Sequence, residues 1–275
     1  MSGGASIEST DSLVVSFPVG IFGDQSVRLS LLHNDENFFV ISKPAGISVR
    51  QHPWEAGTSL DRALNDALQQ NKQWVIQLNC DVIGSVFPLD QSISGPVLFA
   101  KNASALSMAR NAFGSFTYLF RFLLLVEETE RVSGENEMLC QIPLRADDSQ
   151  ARLHPSKRRG KRCETRFKRL HPARNSWSLW QAETTFPRLH QIRAHAQAIG
   201  MKIAGDNVYG TERVPVAKEL LSSGSGPGLQ KPLLGHMGIH LQILRMPTFA
   251  VEQPSITINC STSAEFANCL RKADW

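Results

Sequence analysis

The sequence predicts an α/β (α+β) domain built on a mixed, largely antiparallel sheet flanked by helices and loops. Two observations carry that expectation. Strand-like stretches dominate the 275 residues, with several helical stretches set between them. Hydrophobic residues make up 42% and charged residues 20%, so a sizeable core can be buried and the chain is not of the disordered class.

The elements follow in order. Residues 1–12 (MSGGASIESTDS) are small and polar and read as disordered. LVVSFPVGIF and VRLSLLHND read as short strands at the start of the fold. NFFVISKPAGISV reads as a strand that breaks at Pro44 and Gly46, a pair with turn chemistry. From Thr58, TSLDRALNDALQQN sets Leu60, Ala63, Leu64 and Ala67 at helical spacing, with Thr58 or Ser59 as N-cap. NASALSMARNAF predicts a second helix, and YLFRFLLLV a buried strand. CETRFKRLHP and WSLWQAETT alternate as strands do. LHQIRAHAQAIG places Leu189, Ile192, Ala196 and Ile199 on one helical face, closed by Gly200. ERVPVAKELLSSGSGPGLQK ends in a Gly/Ser/Pro loop, and HLQILRMP is the final core strand. Residues 1–30 are taken as a short N-terminal extension and 31–265 as one domain.

Composition excludes several function classes. The cysteines Cys80, Cys140, Cys163, Cys260 and Cys269 are odd in number and form no CxxC pair, which argues against a disulfide framework or structural zinc. No Lys or Arg precedes Arg28, so the basic segment of a secretory signal is missing. The longest apolar run, Leu119–Val126, holds eight residues and includes Arg121, far short of a membrane span of about 20 residues. A cytoplasmic protein is expected. His190 and His195 are five apart, a poor ligand spacing, and His236 and His240 lack the glutamate of an HExxH site, so no metal is expected.

Charge is unevenly spread. Arg152–Arg169 holds nine Lys/Arg and one acid, a net +8, while the whole chain carries +4 and the remainder therefore −4. A basic block on a near-neutral body is the footprint of a polyanion partner, although a solvated surface loop has the same composition.

Four segments then line up: SKPAGISV, LDQSISGPVLFAK, RLHQIRAHAQAIGMKIAGDNVYG and GHMGIHLQILRMP. In this order and spacing the chain, from Leu31 to Pro247, resembles the RluA-type pseudouridine synthases. The resemblance implies the pseudouridine synthase fold and isomerisation of uridine in tRNA or rRNA without cofactor or metal, by a monomer. Asp90 matches the family's catalytic aspartate, and Arg193 of HQIR its arginine partner. An arginine beside a carboxylate favours the charged form. Phe122 falls at the position of the family's active-site aromatic, normally tyrosine, which stacks on a base turned out of the RNA. Lys43, Arg188, His190 and Gln191 are assigned to substrate contact. Lys157, Arg158, Arg159, Lys161 and Arg162 are the expected phosphate contacts.

Three positions depart from the family pattern. Phe87-Pro88 stands where His-Arg is usual, Pro187 stands for glycine, and Phe122 lacks the tyrosine hydroxyl. They leave open a second reading, an RNA-binding protein that keeps the scaffold without catalysis. A hydrolase using Asp90 as nucleophile leaves the ordered motifs unexplained.

Overall fold

The computed structural model describes residues 13–221, 228–249 and 255–275. The first half contains β1 (Val14–Phe17), β2 (Val27–Asn34), β3 (Phe38–Lys43), α1 (Leu60–Gln69), α2 (Gln73–Leu78), β4 (Gly84–Ser85), β5 (Gly95–Ala100) and α3 (Ala103–Gly114). The second half runs β6 (Leu119–Glu127), β7 (Glu137–Cys140), β8 (Leu144–Asp147), β9 (Arg152–Pro155), β10 (Thr165–Arg174) and β11 (Trp177–Thr184). It continues with α4 (Gln191–Ala198), β12 (Lys202–Ile203), α5 (Ala217–Leu220), β13 (Ile239–Met246), β14 (Ile256–Asn259) and α6 (Ala264–Ala273).

The strands make a five-stranded sheet in the order β1-β2-β3-β5-β4 and a seven-stranded sheet in the order β14-β13-β6-β11-β10-β7, with β12 on β6. Among the described residues every pairing between these strands is antiparallel, so the sheet character expected from sequence is found. A separate hairpin, β8-β9, lies off both sheets.

Local chemistry accounts for the helices. The Ser59 side chain accepts from the Arg62 N–H and caps α1, whose Leu60, Ala63, Leu64 and Ala67 are buried as their spacing predicts. Asn102 caps α3 by accepting from the Ala105 N–H at 2.8 Å. Helix α4 is shorter than its periodicity predicts. Leu189 lies outside it because His190, its N-cap, is left-handed at φ 63°, which no continuing helix permits.

Two further expectations are corrected. Residues 14–30 are not an extension: β1 pairs with β2, and Val15, Phe17 and Leu29 are buried in the main core. The fold also continues past β13, through β14 and α6, whose Phe266, Cys269 and Ala273 are buried. Residues 1–12, expected to be disordered, lie outside the described residues, as does part of the expected Gly/Ser/Pro loop.

The two sheets meet beside the Asp90 loop. The Leu241 N–H donates to the Ser94 carbonyl at 2.8 Å, and the Ser94 hydroxyl bonds the His240 ring at 2.8 Å. His240 in turn bonds the Cys260 carbonyl at 3.0 Å. Gly95 sits at the seam with φ +142°, and a Cβ there would lie 2.5 Å from the Leu241 carbonyl oxygen and 2.6 Å from its Cβ. Both are held by sheet pairing and cannot step aside. Gly95→Ala is therefore expected to lower stability by about 2–4 kcal/mol, read as a lower urea midpoint at unchanged slope. A midpoint equal to the parent's would show that the sheets do not meet this closely.

Candidate active site

Asp90 lies in the loop between β4 and β5, held from three sides. From below, Phe87 is fully buried against Phe120 at 4.8 Å and Phe113 at 6.0 Å between ring centroids. Burying such a ring fixes the backbone three residues before the acid; deleting a buried phenylalanine typically costs about 3–5 kcal/mol. Phe87, which departs from the family pattern, is therefore a core anchor here.

From the β3 side comes Lys43. It was expected to touch RNA, but the structure corrects this. Its ammonium is fully buried and donates to the carbonyls of Ile47 at 2.8 Å, Pro44 at 3.0 Å and Gln91 at 3.1 Å. All three ammonium donors are used, so Lys43 ties the KPAG turn to the Asp90 loop and has nothing left for a phosphate. The Gly46 N–H adds a bond to the Gln91 carbonyl at 2.8 Å, and Glu55 accepts the Gln91 N–H at 2.7 Å.

The third side is α4. The left-handed turn at His190 aims its backbone N–H at Asp90 Oδ1, 2.9 Å away. Arg193, one turn on, directs Nη1 at Asp90 Oδ2 over 3.6 Å, an ion pair too long for a hydrogen bond. The expected pairing of Asp90 with Arg193 is thus present, but the close hydrogen bond to the acid comes from the backbone. Arg193 spends its fork elsewhere. Nε and Nη2 each donate to Asp206 at 2.8 Å, and its guanidinium lies 5.0 Å from the Tyr209 ring centre. Asp206 is fully buried and also accepts the Val208 and Tyr209 N–H groups at 3.1 Å. Burial opposes its ionisation, yet the Arg193 bonds and charge outweigh burial and hold its carboxyl below the usual range.

Asp90 itself is 4% exposed, and its Oδ2 is buried without a hydrogen-bond partner. An oriented carboxylate with one satisfied oxygen and one open oxygen, facing a guanidinium, is arranged to meet an incoming group. A cleft of about 770 Å³ runs along the outer side of the same loop, past Gly46, Gln91, Ser92 and Asn207. Rings gather next to the acid as well: Trp54 lies 5.3 Å from His190, and His190 5.6 Å from Tyr209.

The remaining expected residues divide. Gln191 is corrected: it is fully buried and ties α4 to the Glu164 carbonyl and the Thr165 and Thr184 hydroxyls, out of reach of a substrate. His190 contributes its backbone, while its ring bonds the Tyr209 hydroxyl at 3.2 Å. Arg188 is half-buried, stacked 4.9 Å over Phe186. Phe122 is buried in the main core on β6, between Ala182 and Leu241 in register. Lys157, Arg158, Arg159, Lys161 and Arg162 are all exposed, after hairpin β8-β9, free to meet phosphates. Among the described residues no group of three or more His, Cys, Asp or Glu is placed to hold a metal ion. Sequence reasoning missed Glu55, Trp54 and the structural role of Asp206. The GDNVYG motif contains the last, but its partner becomes visible only in the fold.

Two groups beside Asp90 titrate near neutrality. Burial, then the Asp90 charge, raises the Glu55 carboxyl from 4.5 to about 7. Burial lowers Lys43 from 10.5 to about 7. Between pH 4.5 and about 7 folded Glu55 holds a proton that the unfolded chain has released, so this residue makes stability fall as pH rises through that window. Above about 7 folded Lys43 is increasingly neutral while the unfolded lysine stays charged, so its contribution rises towards 10.5. The stability of Glu55→Gln relative to the parent should therefore grow from pH 4.5 to about 7 and then level off, measured by urea titrations across the window. A flat difference would mean that Glu55 is not raised. The two aspartates should also separate. Asp206→Asn takes the closely bonded carboxylate from buried Arg193, leaving it only the longer ion pair to Asp90, and should cost about 3–5 kcal/mol. Asp90→Asn, at an oxygen without a hydrogen-bond partner, should leave stability within about 1 kcal/mol of the parent. Equal losses in the two variants would contradict this division of roles.

Comparison with known proteins accords with this geometry. The family model for RNA pseudouridylate synthases matches residues 37–198. Ribosomal large subunit pseudouridine synthase D of Zymomonas mobilis is 27% identical over 212 residues, covering 75% of this chain and 65% of that protein. Ribosomal large subunit pseudouridine synthase C of Rickettsia bellii is 26% identical over 223 residues, covering 78% and 70%. The chain thus spans about two thirds of the length of these relatives. Human RNA Pseudouridylate Synthase Domain Containing 4 shares the fold, with a TM-score of 0.63 at 18% identity over 89% of this chain and 92% of that one. With its family motifs placed around one buried aspartate, the chain belongs to the RNA pseudouridylate synthase family.

Proposed function

We propose that this chain isomerises uridine to pseudouridine in an RNA, with ribosomal RNA the first class to test and tRNA the second, and that Asp90 is its catalytic residue. The observation that carries the reading is the open oxygen of Asp90, Oδ2, buried beside Arg193 in a carboxylate otherwise fixed by a backbone N–H. The relatives named as ribosomal large subunit synthases supply the RNA class.

The reaction breaks the bond from the ribose to N1 of the base and forms one to C5. The C5 proton leaves, and N1 gains one, so atoms balance without a cofactor. A carboxylate can enter by attack on the base or at the ribose, and both routes need an anionic oxygen without a competing hydrogen bond. Arg193 faces the negative charge, and because Asp206 holds its fork, the guanidinium does not collapse onto Asp90 and block it. Phe122 would act as packing, since it carries no hydroxyl for proton transfer. The exposed basic segment from Lys157 to Arg162 would supply phosphate contacts that position the RNA without reading its sequence.

A protein working alone in the cytoplasm fits this proposal. Among the described residues no helix is long and apolar enough to cross a membrane.

The test is a site-resolved map of pseudouridine by cyanoethylation and mass spectrometry. It compares RNA from cells with the gene, without it, and complemented with Asp90→Asn. At least one uridine should be modified only with the wild-type chain, and Asp90→Asn should cut turnover by about a thousand-fold or more, as loss of a covalent catalyst does. Identical maps in all three strains would favour the alternative, an RNA-binding scaffold without catalysis.

A further inference from the structure

The connection from β11 into α4 serves two places. Its end, His190, gives Asp90 its N–H. Its start, Thr184–Phe186, lines a separate cleft of about 730 Å³ that Phe116, Arg162 and Arg166 also line.

Phe116 is an unexpected residue at this spot. It follows the C-cap of α3 and sits at φ 61°. That left-handed position usually goes to glycine or asparagine, and a bulky residue there is strained. Burial does not offset the strain, because the side chain is 56% exposed. The ring is nevertheless placed in an aromatic stack. Phe186 lies parallel to Phe113 at 4.2 Å, and Phe116 stands 5.2 Å from Phe186. Arg188 covers Phe186 at 4.9 Å, and its Nε is buried without a partner. A bulky side chain held at a strained position yet left largely exposed points to a ligand that uses it.

The charges in the cleft specify what fits. Arg162 and Arg166 are exposed, and the chain from Arg162 back to Lys157 continues the positive surface. Glu164 and Glu183 line the cleft too, each holding one neighbour: Gln141 donates to Glu164, and Arg121 to Glu183, both at 2.6 Å. A carboxylate accepts hydrogen bonds and never donates them. Phosphate is therefore excluded from the glutamates and drawn to the arginines. A nucleobase edge rich in N–H donors suits the glutamates, guanine best of the four.

Resting on the reading of this chain as an RNA-modifying enzyme, we propose that this cleft is a second nucleotide subsite. It takes an unstacked base, preferentially guanine, from the same RNA that delivers uridine to Asp90. The base stacks on Phe116 while its phosphate meets Arg162 and Arg166. Such stacking is how single-stranded RNA is commonly held, and it is the counterpart of turning a uridine out of its own stack.

The test uses the full chain carrying Asp90→Asn, so that binding is read without turnover. The probes are a fluorescein-labelled single-stranded RNA of about ten nucleotides containing guanosine, and its 6-thioguanosine analogue for photo-crosslinking. Phe116→Asn should weaken binding about ten-fold, as loss of one stacked base does. The same change should leave the melting temperature equal or higher, because asparagine tolerates the left-handed position. Phe116→Trp should keep affinity within about two-fold, since the stacking face remains. Crosslinks should map to peptides containing Phe116 or Phe186. Unchanged affinity in Phe116→Asn, or crosslinks confined to other segments, overturns the subsite. The enzyme reading fails separately: crosslinks here, together with no pseudouridine formed by the wild-type chain, keep the subsite and remove the catalysis.

Discussion

The buried fork between Arg193 and Asp206 is the interaction on which the site depends. Two opposite charges, 4% and 0% exposed, have been taken out of water together. Desolvation of such a pair can equal its attraction, so the pair is weak evidence for stability. Its value lies in geometry. Two parallel bonds at 2.8 Å fix the guanidinium plane, and two backbone N–H groups fix the carboxylate. Only Nη1 then remains for Asp90, and it stops at 3.6 Å. Had Arg193 been free to close on Asp90, both carboxylate oxygens would carry hydrogen bonds.

A second buried cation has a different job. Lys43 gives all its donors to backbone carbonyls, including that of Gln91, the residue next to Asp90. Asp90, Glu55 and Asp206 thus share a small space with Lys43 and Arg193. Three carboxylates against two cations would leave one uncompensated negative charge. Burial first, and the Asp90 charge after it, push the Glu55 carboxyl up to about 7, while Asp206 is held low by its fork. Glu55 and Lys43 are therefore the groups through which this cluster exchanges protons near neutrality.

What could be read from sequence follows from how local each signal is. The caps and apolar spacing of α1 and α3 are contained in a few neighbouring residues, and both helices appear where expected. Asp90 and Arg193 were legible because several motifs occur in order. The start of α4 was not legible. Periodicity extends it back to Leu189, but the contact between the His190 N–H and Asp90, a hundred positions away in the chain, holds His190 in a left-handed turn. Lys43 and Gln191 were misread for a related reason. A polar residue in a functional motif has the same letter whether it faces solvent or is sealed among carbonyls, and only packing of β3 and α4 decides. Phe87 was a departure from a pattern in sequence; in the fold it is a ring among Phe113, Tyr118 and Phe120, beneath the loop it supports.

One short connection ties these observations together. Residues 184–190 leave the end of β11, line the cleft of Arg162 and Arg166 through Thr184 and Phe186, and end at the N–H that holds Asp90. Arg188, within it, packs on Phe186, and Gln191, just after it, bonds both Thr165 of β10 and Thr184 of β11. The connection is thus fastened at each end. Strands β10 and β11 also carry this fastening to the basic segment, since Arg162 lies just before β10 and its carbonyl accepts from Arg188. The segment before β10 and the Asp90 loop are thereby joined through one short, packed connection. On this scaffold the residues that line the cleft and the N–H that holds Asp90 belong to the same few positions. Pro187, buried in the middle of that connection, fixes φ where glycine would leave it loose, which stiffens the link in this chain.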